Sequence, residues 1–215
     1  QDFKPEQPQD KVEVTAGQTI TLNCTTKIVS FPGPVKWLKG WGSGNETIYD
    51  QTGTFPRVTR AVSESDTDFT IHIRDAQPED AGTYYCVKFP KSLDPNEPYL
   101  SGKGTVVSVR AAPTQLVVSG PSHREKPGQS VPFTCTARRF FPKDITVKWL
   151  KDKAEISAQQ PQITPERMNS SYNMSSTVTV MLQEDDVRSQ LICEVQHPEL
   201  SSPLRGMYQL RRALR

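Results

Sequence analysis

The chain reads as an all-β protein built from two tandem sandwiches, and three observations carry that reading. Short segments alternate apolar and polar residues, and turn-forming clusters recur between them. The four cysteines, Cys24, Cys86, Cys135 and Cys193, are widely spaced, and a tryptophan follows the first of each half, Trp37 at +13 and Trp149 at +14. A length of 215 residues suits two domains of about 110 residues each. The expected division is 1–110 and 111–215, because a terminal strand ends and a Pro-marked one begins near Arg110-Ala111-Ala112-Pro113.

Along the first half, Thr19-Ile20-Thr21-Leu22-Asn23-Cys24 puts Ile20, Leu22 and Cys24 on one face and the polar residues on the other. The same alternation pairs Val35 with Trp37, then groups Phe69, Ile71 and Ile73, then Tyr84 and Cys86, then Val107 and Val109. In the second half it groups Val131, Phe133 and Cys135; Ile145, Val147 and Trp149; Val178, Val180 and Leu182; and Leu191, Cys193 and Val195. Phe31-Pro32-Gly33-Pro34, Trp41-Gly42-Ser43-Gly44-Asn45 and Glu125-Lys126-Pro127-Gly128 are the turn clusters that separate these strands. Most of the 18 prolines fall in turns and at strand starts, where they keep sheet edges from pairing with other chains.

Several classes drop out. No stretch approaches the roughly 18 apolar residues of a membrane-crossing helix, and Gln1-Asp2-Phe3-Lys4 has no leader pattern, so a secreted or anchored protein would be represented here by its processed ectodomain. Close Cys-x-x-Cys pairs are missing, which removes zinc ribbons and redox motifs. His72, His123 and His197 fall in three separate strands or loops, and no Gly-x-Ser-x-Gly elbow occurs. Neither catalysis nor a metal or other cofactor is expected.

Of the three possible cysteine connectivities, Cys24–Cys86 with Cys135–Cys193 repeats one pattern in each half. Bridges closing loops of about 60 residues are worth roughly 4 kcal/mol each and persist only in an oxidising compartment. Asn23, Asn45, Asn169 and Asn173 each open an N-x-[S/T] glycan acceptor, and four such matches beside an even cysteine count point outside the cell. Residues 1–110 carry a net charge of −2 and the remainder +4. Much of that surplus is Arg205, Arg211, Arg212 and Arg215, which with only Tyr208 among them reads as a solvated linker toward a following domain rather than a nucleic-acid surface.

The run from Trp37 to Asp80-Ala81-Gly82-Thr83-Tyr84-Tyr85-Cys86 resembles the immunoglobulin variable-type domain. That resemblance implies an inter-sheet Cys24–Cys86 bridge with Trp37 packed on it, a Tyr84 hydroxyl bonded to upstream backbone, and an Arg57–Asp80 pair across one end. Gly102-Lys103-Gly104-Thr105 is similar to the bulged last strand of such domains. The second half, from Cys135-Thr136-Ala137-Arg138-Arg139-Phe140-Phe141-Pro142 through Trp149 to Cys193-Glu194-Val195-Gln196-His197, resembles the constant-type C1 domain, with His197 a structural residue. Antigen-receptor chains share this layout. Ser101 stands where they place an aromatic, no terminal cysteine remains for an interchain bridge, and Leu191 replaces the second domain's usual Tyr.

Gly33-Pro34-Val35-Lys36-Trp37, Phe55-Pro56-Arg57-Val58-Thr59, Asp68-Phe69-Thr70-Ile71, Tyr85-Cys86-Val87-Lys88-Phe89 and Pro203-Leu204-Arg205-Gly206 together resemble the signal-regulatory protein family. The resemblance implies an extracellular part of a single-pass cell-surface receptor involved in immune regulation and adhesion. Its first-domain tip loops, 27–34, 50–55, 64–69 and 89–101, would bind a cell-surface protein such as integrin-associated protein. A signalling adaptor or phosphatase would be reached through membrane and tail segments. Candidate ligand contacts are the apolar Ile28, Val29, Phe31 and Leu93 and the polar or charged Gln51, Thr52, Lys88, Lys91, Asp94 and Glu97. An antigen-receptor-like chain and a homophilic adhesion module are the alternatives. The stretch Glu64-Ser65-Asp66-Thr67-Asp68 departs from the family by being acidic.

Overall fold

A computed structural model describes residues 4–27, 33–91, 99–166 and 170–215. It divides into two compact units, Gln1–Val109 and Arg110–Arg215. Among the described residues, all regular structure is β apart from short 3-10 turns.

The first unit contains β1 (Lys11–Thr15), β2 (Ile20–Leu22), β3 (Val35–Lys39), β4 (Glu46–Tyr49) and β5 (Val58–Arg60). It continues with β6 (Ile71–Ile73), β7 (Gly82–Lys88), β8 (Leu100–Ser101) and β9 (Thr105–Arg110). One sheet runs β1-β9-β7-β3-β4 with β8 added on β7, and the facing sheet runs β2-β6-β5. Between them lie Ile20, Leu22, Trp37, Ile71, Tyr84 and Val107, each at most 2% exposed, beside the Cys24–Cys86 disulfide. Burying an aliphatic or aromatic side chain this fully contributes roughly 1.5–3 kcal/mol. Trp37 lies opposite Cys86 in the β3/β7 register, and its indole N–H donates to the Phe69 carbonyl across the core at 2.7 Å. Phe69 itself is buried just ahead of β6 rather than within it.

The last strand is locked by a residue with no sequence signature. Gln7 is 3% exposed. Its amide Nε2 donates to the Tyr84 carbonyl and Thr105 Oγ1, while its Oε1 accepts from the Cys86 and Gly104 amides at 3.1 Å each. Gln7 accounts for one of the two glycines here and backbone conformation for the other. Gly104 has φ +97°, and a Cβ on Gly102 would sit 2.3 Å from Gln7 Oε1.

The second unit contains β10 (Val117–Ser119), β11 (Ser130–Phe140), β12 (Thr146–Lys151) and β13 (Ala154–Ile156). β14 (Gln162–Pro165), β15 (Tyr172–Met181), β16 (Gln190–Gln196) and β17 (Leu204–Gln209) complete it. Its two four-stranded sheets run β10-β11-β15-β14 and β13-β12-β16-β17. Trp149 again faces a cysteine, Cys193, and its N–H donates to Ser176 Oγ at 2.9 Å. His197 is 5% exposed; its Nδ1 accepts from the Glu199 amide, so its Nε2 carries the proton and donates to the Pro142 carbonyl at 2.7 Å.

One expectation fails here. The arginine-rich end is docked, not a solvated linker. Leu210 and Ala213, three residues apart on one face of the 3-10 turn Leu210–Ala213, are fully buried, and Leu214, which caps the turn, is 8% exposed. The Leu210 amide donates to Ser189 O, the Glu125 amide to Ala213 O, and the Arg215 amide to Glu125 O.

Candidate ligand-binding tip of the first domain

Strand β7 has two ends with different chemistry. The end at Gly82 carries a structural corner. Arg57 makes a two-pronged ion pair with Asp80, Nη2 to Oδ1 at 2.8 Å and Nη1 to Oδ2 at 2.9 Å. The Tyr84 hydroxyl donates to the Asp80 carbonyl at 2.6 Å, and burial holds its phenol far above the ordinary tyrosine range. The hydrogen bond to Asp80 raises the Arg57 guanidinium pKa further. A cavity of about 430 Å³ lies beside this pair, lined by Ile48, Val58 and Ile73 among others. It belongs to the corner and not to the loops at the other end of the strand.

The end at Lys88 is where the loops meet. The turn after β4 is organised by one carboxylate: Asp50 Oδ1 accepts from the Thr52 amide at 2.8 Å, Thr52 Oγ1 at 3.0 Å and the Gly53 amide at 2.7 Å. Those backbone donors hold the Asp50 carboxyl below its ordinary range. Gln51 and Thr52 are left exposed on this fixed turn, with Gln51 Oε1 at 3.5 Å from the Val35 amide.

The acidic loop 64–69 is equally constrained. Arg60 Nη2 donates to the Ser65 carbonyl at 2.6 Å and the Asp68 carbonyl at 2.7 Å, while its guanidinium lies 4.3 Å from the Phe69 ring centroid. Ser65 Oγ accepts from the Thr67 and Asp68 amides, and the Thr26 amide donates to Thr67 O, which ties the loop to the chain leaving Cys24. Glu64 accepts a positive φ of 64° within it.

Lys91 is exposed. Lys88 is 8% exposed, because alternation along β7 turns it to the same side as Tyr84 and Cys86. Burial pushes its ammonium below the ordinary lysine range, against the opposing pull of Asp66. Ile28, Val29, Phe31, Leu93, Asp94 and Glu97, like the acceptor Asn169, lie outside the described residues. Among the other acceptors, Asn45 is exposed and Asn23 is half-buried. Asn173 spends its amide internally, donating to Glu166 Oε1 at 2.9 Å and accepting from the Arg139 amide at 3.2 Å.

On the outer face of the large sheet, a chain of aromatic contacts runs from Tyr85 to Trp41 at 5.0 Å, on to Tyr99 at 5.8 Å, and from Tyr99 to Phe89 at 5.7 Å. Lys36 Nζ lies 5.4 Å from the Phe89 ring centroid. Trp41 is 51% and Tyr99 47% exposed. Residue-by-residue reading missed this face and the roles of Asp50 and Arg60. The Asp-x-x-Gly spelling of residues 50–53 was the available turn signal.

Two disulfide-stapled sandwiches, the first with the larger sheet and the corner ion pair, define a chain of the immunoglobulin superfamily, variable-type then constant-type. The immunoglobulin V-set domain matches residues 7–110 and the immunoglobulin C1-set domain residues 117–200. A solved structure, "Crystal Structure of Rst D1-D2", aligns with a TM-score of 0.59 at 13% identity, covering 96% of this chain and 98% of the other, and shows the shared fold. Signal-regulatory protein beta-1 of Homo sapiens is 46% identical over 97% of this chain and 54% of its own length. Tyrosine-protein phosphatase non-receptor type substrate 1 of Bos taurus is 46% identical over 97% of this chain and 42% of its own length. The chain belongs to the signal-regulatory protein family. It spans about half the length of these relatives.

Proposed function

We propose that this chain is the ligand-binding part of a cell-surface signal-regulatory receptor, and that the first-domain tip engages a protein on an opposing cell, integrin-associated protein being the first candidate. The observation that supports the reading most is the ordering of two tip loops by side chain to backbone bonds, from Asp50 and from Arg60. A loop surface held in place before contact loses less entropy on binding, where each immobilised side chain otherwise costs about 0.5–1.5 kcal/mol. Exposed Gln51, Thr52 and Lys91 supply polar rim contacts, which set specificity and on-rate more than affinity. Lys88 acts from beneath, as a buried side chain, rather than as a rim contact. Ile28, Val29, Phe31, Leu93, Asp94 and Glu97 complete the proposed surface. Signal output, through an adaptor or a phosphatase, belongs to the longer protein.

Surface-plasmon binding to immobilised integrin-associated protein ectodomain tests the ligand. Saturable micromolar binding is expected; its absence removes this ligand and leaves the family assignment in place. Glycan should occupy exposed Asn45 and leave the internally bonded Asn173 bare, as peptide mass mapping of secreted protein will report.

A second reading, side-by-side self-association, draws on the exposed aromatic contacts of Trp41 and Tyr99. Sedimentation decides it. A stable dimer at micromolar concentration would favour that reading over the tip.

A further inference from the structure

The docked arginine segment builds a second surface, independent of the tip. Because Leu210, Ala213 and Leu214 point into the second domain's core, the intervening Arg211 and Arg212 and the following Arg215 are driven outward. With Arg124 they line a shallow bowl of about 770 Å³ in which Glu184 is the one acidic side chain. Arg205 is not part of this surplus, since its Nε donates to Glu194 Oε1 at 2.7 Å. Among the described residues, Arg124, Arg211 and Arg215 have no carboxylate partner. The Arg212 guanidinium lies over the Tyr208 ring, 4.4 Å from its centroid, a cation–π contact that holds it at the wall of the bowl.

We propose that this bowl binds a sulfated polysaccharide of the cell surface or matrix. Guanidinium groups match the paired oxygens of sulfate as they match those of carboxylate and phosphate. A single exposed ion pair is worth at most about 1 kcal/mol, so a lone sulfate would bind weakly, whereas a chain bearing sulfates at short repeat engages several arginines at once. Single-stranded nucleic acid fits less well, because it needs aromatic faces for its bases and, among the described residues, the one aromatic ring in contact with these arginines, Tyr208, is already covered by Arg212.

The test uses the 215-residue chain and a heparin octasaccharide immobilised by its reducing end. Binding is expected at 0.15 M salt. The double variant Arg124→Ser with Arg211→Ser should weaken it about tenfold and reduce the slope of log affinity against log salt by about 1.5–2. Lys143→Ser with Lys148→Ser removes the same charge from exposed positions elsewhere in the domain and should change affinity less than twofold. Unchanged thermal unfolding of both variants confirms that each is folded. Equal losses in the two variants would reduce the effect to net charge and overturn the proposal. So would undiminished binding to desulfated heparin, or tighter binding to single-stranded DNA or phosphatidylserine vesicles than to heparin.

Discussion

In both domains the turn before the second cysteine's strand closes on an aspartate whose carboxylate accepts the backbone N–H three residues earlier. Gln77 donates to Asp80 and Gln183 to Asp186, each at 2.8 Å. Both strands that carry the tryptophan also end in a lysine at +2, and the register places Lys39 opposite Tyr84 and Lys151 opposite Leu191. From this common frame the two corners diverge. In the first domain Tyr84 takes the space and bonds the Asp80 carbonyl, Lys39 is displaced to the Glu79 carbonyl, and Arg57 comes from the turn before β5 to neutralise Asp80. In the second, Leu191 offers no hydroxyl, and Lys151 reaches Asp186 directly at 2.7 Å. One substitution, Tyr for Leu two residues before a cysteine, therefore accompanies a change in which cation holds the turn. The Asp186 side chain is 3% exposed and its lysine 26%, against 12% and 43% for Asp80 and Arg57, so the second pair is the drier one.

The largest effect expected from breaking this comparison is in the second domain. Asp186→Ala leaves a partly buried ammonium without its partner and should cost about 3 kcal/mol. Asp80→Ala, whose cation is more solvated, should cost about half of that. Calorimetry of the whole chain with hydrogen exchange mapped to each domain measures both; a larger loss for Asp80→Ala would reverse the ranking. Next in size is Tyr84→Phe, which removes only the hydroxyl bond and should cost about 1 kcal/mol, confined to first-domain exchange. Protection lost in the second domain would contradict that confinement.

The smallest effect is local and set by pH. Asp50 has a folded pKa below its unfolded one, so its contribution is fully present above the ordinary carboxylate range and is lost as pH falls through the folded value. Amide NMR shifts of Thr52 and Gly53 should hold steady down through the usual aspartate pKa and move only below it. Movement already at the ordinary aspartate pKa would mean that the turn is not held by this carboxylate.

Much of the scaffold was legible because it follows from periodicity and spacing. Alternation put Ile20, Leu22, Phe133 and Cys135 inside, and the Cys-Trp-Cys spacing located both staples. The Arg57–Asp80 pair came from the resemblance and matches the structure. What stayed hidden depends on contacts between residues far apart in the chain. Gln7 meets Tyr84 and Thr105 across more than 70 residues, and Arg60 finds its acceptors only once loop 64–69 has folded back on it. Two misses had a signal that charge concealed. Lys88 continues the Tyr84, Cys86 alternation, and the buried Leu210, Ala213 and Leu214 recur at helical spacing between arginines.

The tip and the aromatic sheet face are the two surfaces of the first domain that compete for the role of ligand site. The most direct measurement is binding of the integrin-associated protein ectodomain to two paired variants, Gln51→Ala with Lys91→Ala at the tip and Trp41→Ala with Tyr99→Ala on the sheet. Weakening of about five- to tenfold by the tip pair, with the sheet pair within twofold of wild type, is the expected result. Loss of binding by the sheet pair with the tip pair unaffected would contradict the assignment of the tip.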